Sequence, residues 1–295
     1  DPGINLRLIE PSRGLITRIH EIIKEEKLTR IGFEAEDISY FEYDKINRNL
    51  LGVSLVPQEL AFIHLRECKE DRELEKIKKA CQVTDKCLKD IIKLLKVGMS
   101  EKEVAFKIEF WLKEKGYDIA FDPIVAVDVN SAIPHYNTKV GSGIIKRNSV
   151  ILIDFGVKVE DYLSDITRMV FMKEIPKEAL NVYDKLKIAQ TKAINKVQTV
   201  QKLKDIDIFC RDELKSRGLP EFPHSTGHGV GLEIHEYPKV SFNTEDQKKD
   251  GQVVTIEPGV YFLGKWGMRV EDTVAIQSGK ASCFTSFPKE VLLLS

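Results

Sequence analysis

Four acidic residues stand in or at the ends of apolar, strand-like runs, and they constrain the fold of this 295-residue chain more than any other feature. They are Asp154, Asp165, Glu257 and Glu271. An ionised carboxylate in a buried strand is costly unless a positive charge meets it. Taken singly, Asp154 and Asp165 are each better explained as a turn residue or a salt-bridge partner, for example Asp165 with Arg168. Together, on neighbouring strands, they can share cations.

Histidines are concentrated in one segment, because three of the six in the chain, His224, His228 and His235, fall within twelve residues. A lone histidine is usually a core or surface residue. This density, beside glycines that let backbone and ligand approach closely, indicates a site. Four carboxylates and one histidine form an oxygen-rich ligand set that suits Mn²⁺, Co²⁺ or Fe²⁺ better than a structural zinc. Because four carboxylates carry more charge than one divalent ion balances, two ions are expected.

The order of helical and strand-like segments predicts an α+β fold. Segments 15–27 and 39–51 read as short helices that alternate with strands 29–33 and 53–57. From Glu70 a helical periodicity predicts a long amphipathic helix ended by Gly98, and a capping box of Ser100 and Glu103 predicts a second helix. Strands, a helical block at about 177–218 and further strands follow. This order favours an α+β domain over alternating βαβ units.

Composition narrows the function classes. The net charge is only −1, with 45 Lys plus Arg against 46 Asp plus Glu, which argues against a nucleic-acid partner. The sequence contains neither an apolar run long enough to cross a bilayer nor a signal peptide at its start, so we expect a soluble, cytoplasmic protein with no membrane partner. The five scattered cysteines are expected to be buried free thiols in a reducing cytosol.

Six ordered motifs carry a resemblance to a known family. They are Ala132-Ile133-Pro134-His135-Tyr136, Asp154-Phe155-Gly156, Ser164-Asp165-Ile166-Thr167-Arg168, His224-Ser225-Thr226-Gly227-His228-Gly229-Val230-Gly231, Ile256-Glu257-Pro258-Gly259 and Arg269-Val270-Glu271-Asp272. In this order they resemble the pita-bread metallopeptidases, the group of prolidases, Xaa-Pro aminopeptidases and methionine aminopeptidases. The resemblance covers 67–295 and implies a creatinase/aminopeptidase catalytic domain.

The resemblance implies a role for each site residue. Asp154 would hold one metal ion, Asp165 and Glu271 would bridge two, and His228 and Glu257 would hold the other. We expect both divalent ions to be Mn²⁺, and the alternatives are Co²⁺, Fe²⁺ or Zn²⁺. Glu257 would also shuttle a proton. In the family, His135 orients the substrate, and His224 and His235 contact the carbonyl oxygen and the tetrahedral intermediate, where imidazoles stabilise a developing oxyanion.

The subfamily depends on fewer residues. Pro134-His135-Tyr136, with Arg269 as a further catalytic residue two places before Glu271, resembles the proline-specific branch, which hydrolyses the Xaa-Pro bond of peptides or dipeptides. Whether the chain is an aminopeptidase or a dipeptidase stays open. The alternatives are a methionine aminopeptidase, a creatinase-like amidinohydrolase without metals, and a non-catalytic pita-bread binding module. The complete ligand set argues against the last two.

Two departures from the family pattern affect the expectations. Val157 and Asp161 replace residues that are often Ala and Gly in the hairpin between Asp154 and Asp165, without replacing a ligand. Residues 1–66 resemble only the later part of the family's first domain, and the chain starts without Met, so we expect a processed or truncated α/β domain ahead of the catalytic domain 67–295. Relatives use that domain to form a homodimer, which is also expected here.

Overall fold

A computed structural model of the chain describes residues 14–58, 61–290 and 293–294. It divides into two compact units, Asp1–Leu65 and Arg66–Ser295. The described part of the first unit contains α1 (Leu15–Glu26), β1 (Arg30–Glu34), α2 (Tyr40–Asn49), β2 (Ser54–Gln58) and most of α3 (Ala61–Glu67), with β1 and β2 paired in parallel. The first four elements agree with the predicted segments within two residues. Helix α3 was not predicted, and the boundary expected at 66/67 falls within it.

The second unit contains the remaining elements in blocks of helices and strands. Its helices are α4 (Asp71–Ile92), α5 (Glu101–Glu114), α6 (Lys177–Lys196) and α7 (Lys204–Ser216). Its strands are β3 (Asp118–Ile119), β4 (Ile124–Val127), β5 (Val150–Phe155), β6 (Val157–Val159), β7 (Tyr162–Leu163), β8 (Ile166–Met172), β9 (Gly227–Gly229), β10 (Glu236–Val240), β11 (Val253–Ile256), β12 (Gly259–Phe262), β13 (Trp266–Arg269), β14 (Asp272–Gln277), β15 (Lys280–Cys283) and β16 (Leu293–Leu294). This order confirms the predicted α+β class.

Three of the sheets position the site. They have the strand orders β16-β8-β5-β4, β10-β9-β11-β14-β15 and β12-β13, and a smaller sheet joins β3, β6 and β7. Alternate residues of β5 enter different hydrophobic clusters, Ile151 and Ile153 on the face that packs with α4 and α5, and Leu152 on the face that packs with α6. Because both faces of β5 are covered, its sequence is a continuous apolar run, in which Asp154 is the exception.

The structure confirms the predicted start of α5 and corrects the predicted end of α4. The capping box is present, with Ser100 accepting from the Glu103 backbone and Glu103 accepting from that of Ser100. The expected end of α4 at Gly98 was wrong, because the helix ends at Ile92 and the chain continues in tight turns. Gly98, at φ 92°, donates its backbone N–H to the Ile145 carbonyl at 2.9 Å. Its left-handed conformation therefore serves a loop contact and not a helix cap.

The structure tests two expectations from composition, the burial of the cysteines and the absence of a membrane-spanning helix among the described residues. All five cysteines are free thiols, but only Cys81, Cys87 and Cys210 are buried, while Cys68 is half-buried and Cys283 is exposed. The expectation of uniformly buried thiols was therefore wrong for Cys68 and Cys283. Burial raises the pKa of the Cys210 thiol to about 12. Among the described residues, every helix is too short or too polar to span a bilayer.

Candidate metal centre

Two antiparallel ladders meet end to end and place Glu257 and Glu271 opposite each other. Ile256 pairs with Asp272 in the β11–β14 ladder, and Gly259 pairs with Arg269 in the β12–β13 ladder. Glu257 and Glu271 lie in the short crossing between these ladders. The Glu271 backbone N–H also donates to the Thr167 carbonyl at 3.2 Å, which ties the crossing to β8. Strand register therefore brings two distant acids together.

The sheet of β5 and β8 supplies the other two acids. Asp154 on β5 pairs with Thr167 on β8, and Asp165 directly precedes β8. The Thr273 hydroxyl donates to the Asp165 carbonyl at 2.7 Å and accepts from the Asp165 backbone N–H at 3.2 Å. The structure thus places Asp154 on β5 and Asp165 at the start of the neighbouring strand β8. Arg168, the salt-bridge partner considered for Asp165, instead pairs with Asp272 at 2.7 Å, so that alternative was wrong.

His228 lies on β9 with its ring orientation set by the backbone. Its Nδ1 is 3.1 Å from the Gly229 carbonyl oxygen, so Nδ1 carries the proton that this contact requires. Nε2 therefore faces the acids, at 3.2 Å from Glu257 Oε1 and 3.7 Å from Asp165 Oδ2. A hydrogen bond on one ring nitrogen that directs the other is the usual arrangement of a metal-ligating histidine.

All five predicted ligands line one cleft of about 690 Å³. Ligand atoms of Asp165, His228 and Glu271 lie within 4.8 Å of one another, which is close enough for them to share a cation. Asp154 and Glu257 line the same cleft outside this triplet. Across the described chain, Asp154 Oδ1, Asp165 Oδ1 and Glu271 Oε1 are buried side-chain oxygens that lack a hydrogen-bond partner. Since a buried carboxylate oxygen needs a partner, the residues fit a bound divalent cation.

The electrostatics of the protein groups support this fit. Burial raises the pKa of Asp165 and of Glu271 well above the usual range, and the negative charges of their neighbours add to the shift. Burial also raises the pKa of Asp154, although Arg269 opposes it. Burial likewise works against ionisation of Glu257, but its hydrogen bond with His228 prevails and lowers its pKa to about 2. The acids repel one another and require a positive charge among them.

Arg269 also lines the cleft and contacts one of these acids, Asp154. Its guanidinium donates to Asp154 Oδ2 at 2.5 Å and to the Thr167 hydroxyl at 3.1 Å. It also donates to the Pro134 carbonyl at 3.1 Å and to the Tyr261 hydroxyl at 2.9 Å. Arg269 therefore joins a predicted ligand to the segment that carries His135. Like Glu271, it lines the cleft, as strand alternation predicts.

The other three predicted histidines also line the cleft. His224 Nε2 lies 2.8 Å from the Tyr261 hydroxyl oxygen, and burial lowers the pKa of the His224 ring. The ring of His235 packs edge-on against that of His228, with centroids 4.3 Å apart. Burial, with the nearby charge of His228, lowers the pKa of His235. His135 is exposed at the edge of the cleft.

Sequence reasoning missed two supporting residues on α7 and the hydroxyl of Tyr261. Asp207 accepts from the Thr226 backbone N–H at 3.0 Å and from its hydroxyl at 2.5 Å. Arg211 pairs with Asp207 at 2.9 Å and donates to the His224 carbonyl at 2.7 Å. These contacts hold the segment from His224 to Thr226, directly before β9. The signal was an acid on the buried stripe of a helix, where Asp207 aligns with Cys210 and Leu214.

Comparisons with known proteins agree with this geometry. The sequence model of metallopeptidase family M24 matches residues 75–278. The uncharacterized peptidase YqhT of Bacillus subtilis is 30% identical over 289 residues, which are 97% of this chain and 81% of that protein. An X-Pro aminopeptidase from Thermotoga maritima is similar in structure, with a TM-score of 0.87 and 30% identity. So is an Xaa-Pro dipeptidase from Bacillus anthracis, with a TM-score of 0.90 and 31% identity. Each alignment covers 95% of this chain and 79% of the solved chain.

The chain belongs to metallopeptidase family M24. It has the pita-bread fold of that family, and the family and its structural neighbours make it a metallo-exopeptidase that uses divalent metal ions. The resemblance predicted from the six motifs is therefore confirmed at the level of family and fold.

Proposed function

We propose that the chain is a two-metal exopeptidase that hydrolyses the Xaa-Pro bond at the N-terminus of peptides or in dipeptides. The observation that carries this proposal is the group of three buried carboxylate oxygens without a partner, on Asp154, Asp165 and Glu271, in a cleft shared with His228. Four carboxylates around one cleft exceed the charge of a single divalent ion. Similarity to an X-Pro aminopeptidase and an Xaa-Pro dipeptidase supports the substrate class and leaves both peptide lengths open.

In this proposal, Asp165 and Glu271 would each hold both ions, Asp154 would hold one, and His228 and Glu257 would hold the other. Bound metal ions supply an activated water and polarise the scissile carbonyl. Glu257, a carboxylate that lines the same cleft, could also accept a proton there. The lowered pKa values of His224 and His235 favour the neutral form of both rings. A neutral His235 can donate an N–H to developing negative charge, whereas neutral His224 donates its Nδ1 proton to the Ser225 carbonyl and accepts at Nε2 from the Tyr261 hydroxyl.

The proposal extends to the metal, the assembly and the location. Mn²⁺ is the first choice of metal, because carboxylate-rich sites suit it, with Co²⁺, Fe²⁺ or Zn²⁺ as alternatives. The protein is proposed to be a cytoplasmic homodimer that acts on proline-containing peptides, with 1–66 as an N-terminal domain ahead of the catalytic domain 67–295. Metal identity can be measured by elemental analysis, and the assembly by sedimentation of the purified chain.

A side-by-side assay tests the function. The protein supplied with Mn²⁺ or Co²⁺ receives peptides that share the first residue and carry Pro or Ala at the second position, and others that begin with Met. Each sequence is offered as a dipeptide and as a tripeptide. We expect release of the first residue from the Xaa-Pro substrates, while preferred cleavage after Met would instead indicate a methionine aminopeptidase.

Metal removal is the second arm of this test. Thorough chelation should abolish hydrolysis, and adding back Mn²⁺ or Co²⁺ should restore it. Activity that survived the loss of all metal would contradict the two-metal mechanism. Peptide binding without hydrolysis by the metal-loaded protein would favour a binding module.

A further inference from the structure

Glu101 begins α5, and its buried carboxylate lies beneath the loop that carries His135. The loop comprises residues 128–143, all of them described, and contains two short 3-10 turns, Asp128–Ala132 and Thr138–Val140, but no strand. Strand pairing therefore does not fix the conformation of these residues. Their position depends on the hydrogen bonds that surrounding side chains provide.

The carboxylate of Glu101 makes four hydrogen bonds to this loop and its flanks. Oε1 accepts from the Val127 backbone N–H at 2.6 Å and from Asn130 Nδ2 at 2.9 Å. Oε2 accepts from the Tyr136 hydroxyl at 2.9 Å and from the Gly143 backbone N–H at 2.8 Å. None of these four donors is a cation. Because a buried carboxylate is costly without partners, it needs these four donors, and the loop and its flanks in turn depend on the carboxylate for four of their hydrogen bonds.

Two glycines show how closely the loop follows this carboxylate. A Cβ atom on Gly143 would lie 2.3 Å from Glu101 Oε1, and one on Gly141 would lie 2.7 Å from Oε2. Neither distance is compatible with a side chain. The backbone at both positions thus approaches the carboxylate as only glycine permits.

The contacts of Glu101 and Arg269 hold the segment Pro134-His135-Tyr136 from two sides. Arg269 donates to the Pro134 carbonyl at 3.1 Å, and the Tyr136 hydroxyl donates to Glu101 at 2.9 Å. His135 itself is exposed and lines the cleft. The contacts of its two neighbours therefore hold the backbone from which the His135 ring extends into the cleft.

We propose that Glu101 is a positioning residue for His135, which it holds at the cleft by anchoring the loop 128–143. This inference rests on the proposed function only in that His135 contacts the peptide. Glu101→Gln replaces one acceptor oxygen by an amide that faces N–H donors, so at least one of the four bonds is lost. The loop should then shift by a fraction of an ångström or more.

A double-mutant cycle with His135→Ala tests this proposal, measured as kcat and KM on whichever N-terminal peptide the parent protein cleaves best. In the parent background we expect Glu101→Gln to lower kcat/KM by about 10²-fold, the scale of a 1 Å misplacement. In the His135→Ala background the same change should lower kcat/KM by less than about threefold. If Glu101 acts through His135, its effect largely disappears once the His135 ring is absent, so the two effects are not additive. Equal losses in both backgrounds would overturn the proposal. A parent that prefers non-prolyl peptides contradicts the proposed function alone, because the cycle can still be measured.

Matched variants separate positioning from general structural damage. Glu103→Gln, on the same helical turn, removes an exposed carboxylate that caps Ser100 and does not contact the loop, so kcat/KM should stay within about twofold. Tyr136→Phe removes one of the four donors and should lower kcat/KM by about fivefold, again only when His135 is present. If Glu101→Gln does not fold, the cycle of Tyr136→Phe with His135→Ala decides, and additivity there counts equally against the proposal.

Two readouts do not depend on turnover. Metal content by elemental analysis should equal that of the parent in Glu101→Gln, and its loss would assign Glu101 a role in the scaffold of the metal site instead. The His135 ring proton signals, assigned by their disappearance in His135→Ala, should shift in Glu101→Gln and stay in place in Glu103→Gln. An unchanged His135 signal in Glu101→Gln would overturn the proposal even for an inactive parent.

Discussion

The floor and the rim of the cleft are built in different ways. The floor consists of the five predicted ligands, Asp154, Asp165, His228, Glu257 and Glu271, each on a strand or next to one. The rim consists of His135, His224 and His235, of which His135 and His224 lie in loops and His235 directly precedes β10.

The two regions also differ in what holds them. Backbone pairing sets the floor, since the register of β5 with β8 and of β11 with β14 decides which acids face one another. Side-chain tethers set much of the rim, with Glu101 below the loop of His135 and Arg211 on the carbonyl of His224. Floor residues should therefore control metal occupancy, and rim residues should control turnover.

The largest expected effect is at the floor, in the two carboxylates proposed to bridge the ions. Asp165→Ala and Glu271→Ala each take one negative charge from a site whose four acids would balance the two proposed divalent cations, so occupancy of both ions should fall together. Asp154→Ala should keep a single ion with little activity. Elemental analysis of the three variants beside the parent measures this. Full two-metal occupancy in Asp165→Ala or Glu271→Ala would rule out the bridging assignment, whatever happened to activity.

His235→Ala provides the intermediate effect, at the rim. Turnover should fall by roughly 10² to 10³, the usual scale for losing one donor to a developing oxyanion, and metal content should stay that of the parent. The His235 ring packs against the ring of His228, so this variant is a strict test of the division between floor and rim. Loss of metal from His235→Ala would place this residue among the ligands.

The smallest effect is expected from a single rim tether. Thr226→Val removes the buried hydroxyl that donates to Asp207, and should lower the free energy of unfolding by about 1.5 to 3 kcal/mol, the range for a hydrogen bond to a charged group. Turnover should fall a few-fold with metal content unchanged, because the loop before His228 loosens. Denaturant unfolding and steady-state kinetics measure the two quantities.

A matched control for this tether is Tyr183→Phe, which removes the hydroxyl of another buried residue, bonded to the Lys289 carbonyl at 3.0 Å and outside the lining of the cleft. It should lower the free energy of unfolding by about 1 kcal/mol and leave turnover close to that of the parent. Equal losses of turnover in both variants would show that loop tethers have no special role at the rim.

The sequence predicted a buried charge correctly where a charged residue interrupts an apolar segment. Asp154 in an apolar run indicated a buried charge, and the structure buries it, with its Oδ1 lacking a partner among the described residues. Asp207 carried the same signal on the stripe of α7, but the regular helical pattern around it concealed the acid. The role of Glu101 was not predicted, because its four partners are 26 to 42 residues away.

The sequence by itself determined which residues are polar inside apolar segments, the class of fold and the candidate ligands, because these follow from periodicity and local chemistry. Tertiary structure alone decided the partners. Arg168 contacts Asp272 and not Asp165, and Asp154 pairs with Arg269, 115 positions further along the chain. The physical reason is that strand register and loop placement result from burying a whole core, and a charge at one position does not specify which distant charge the packed strands bring to it.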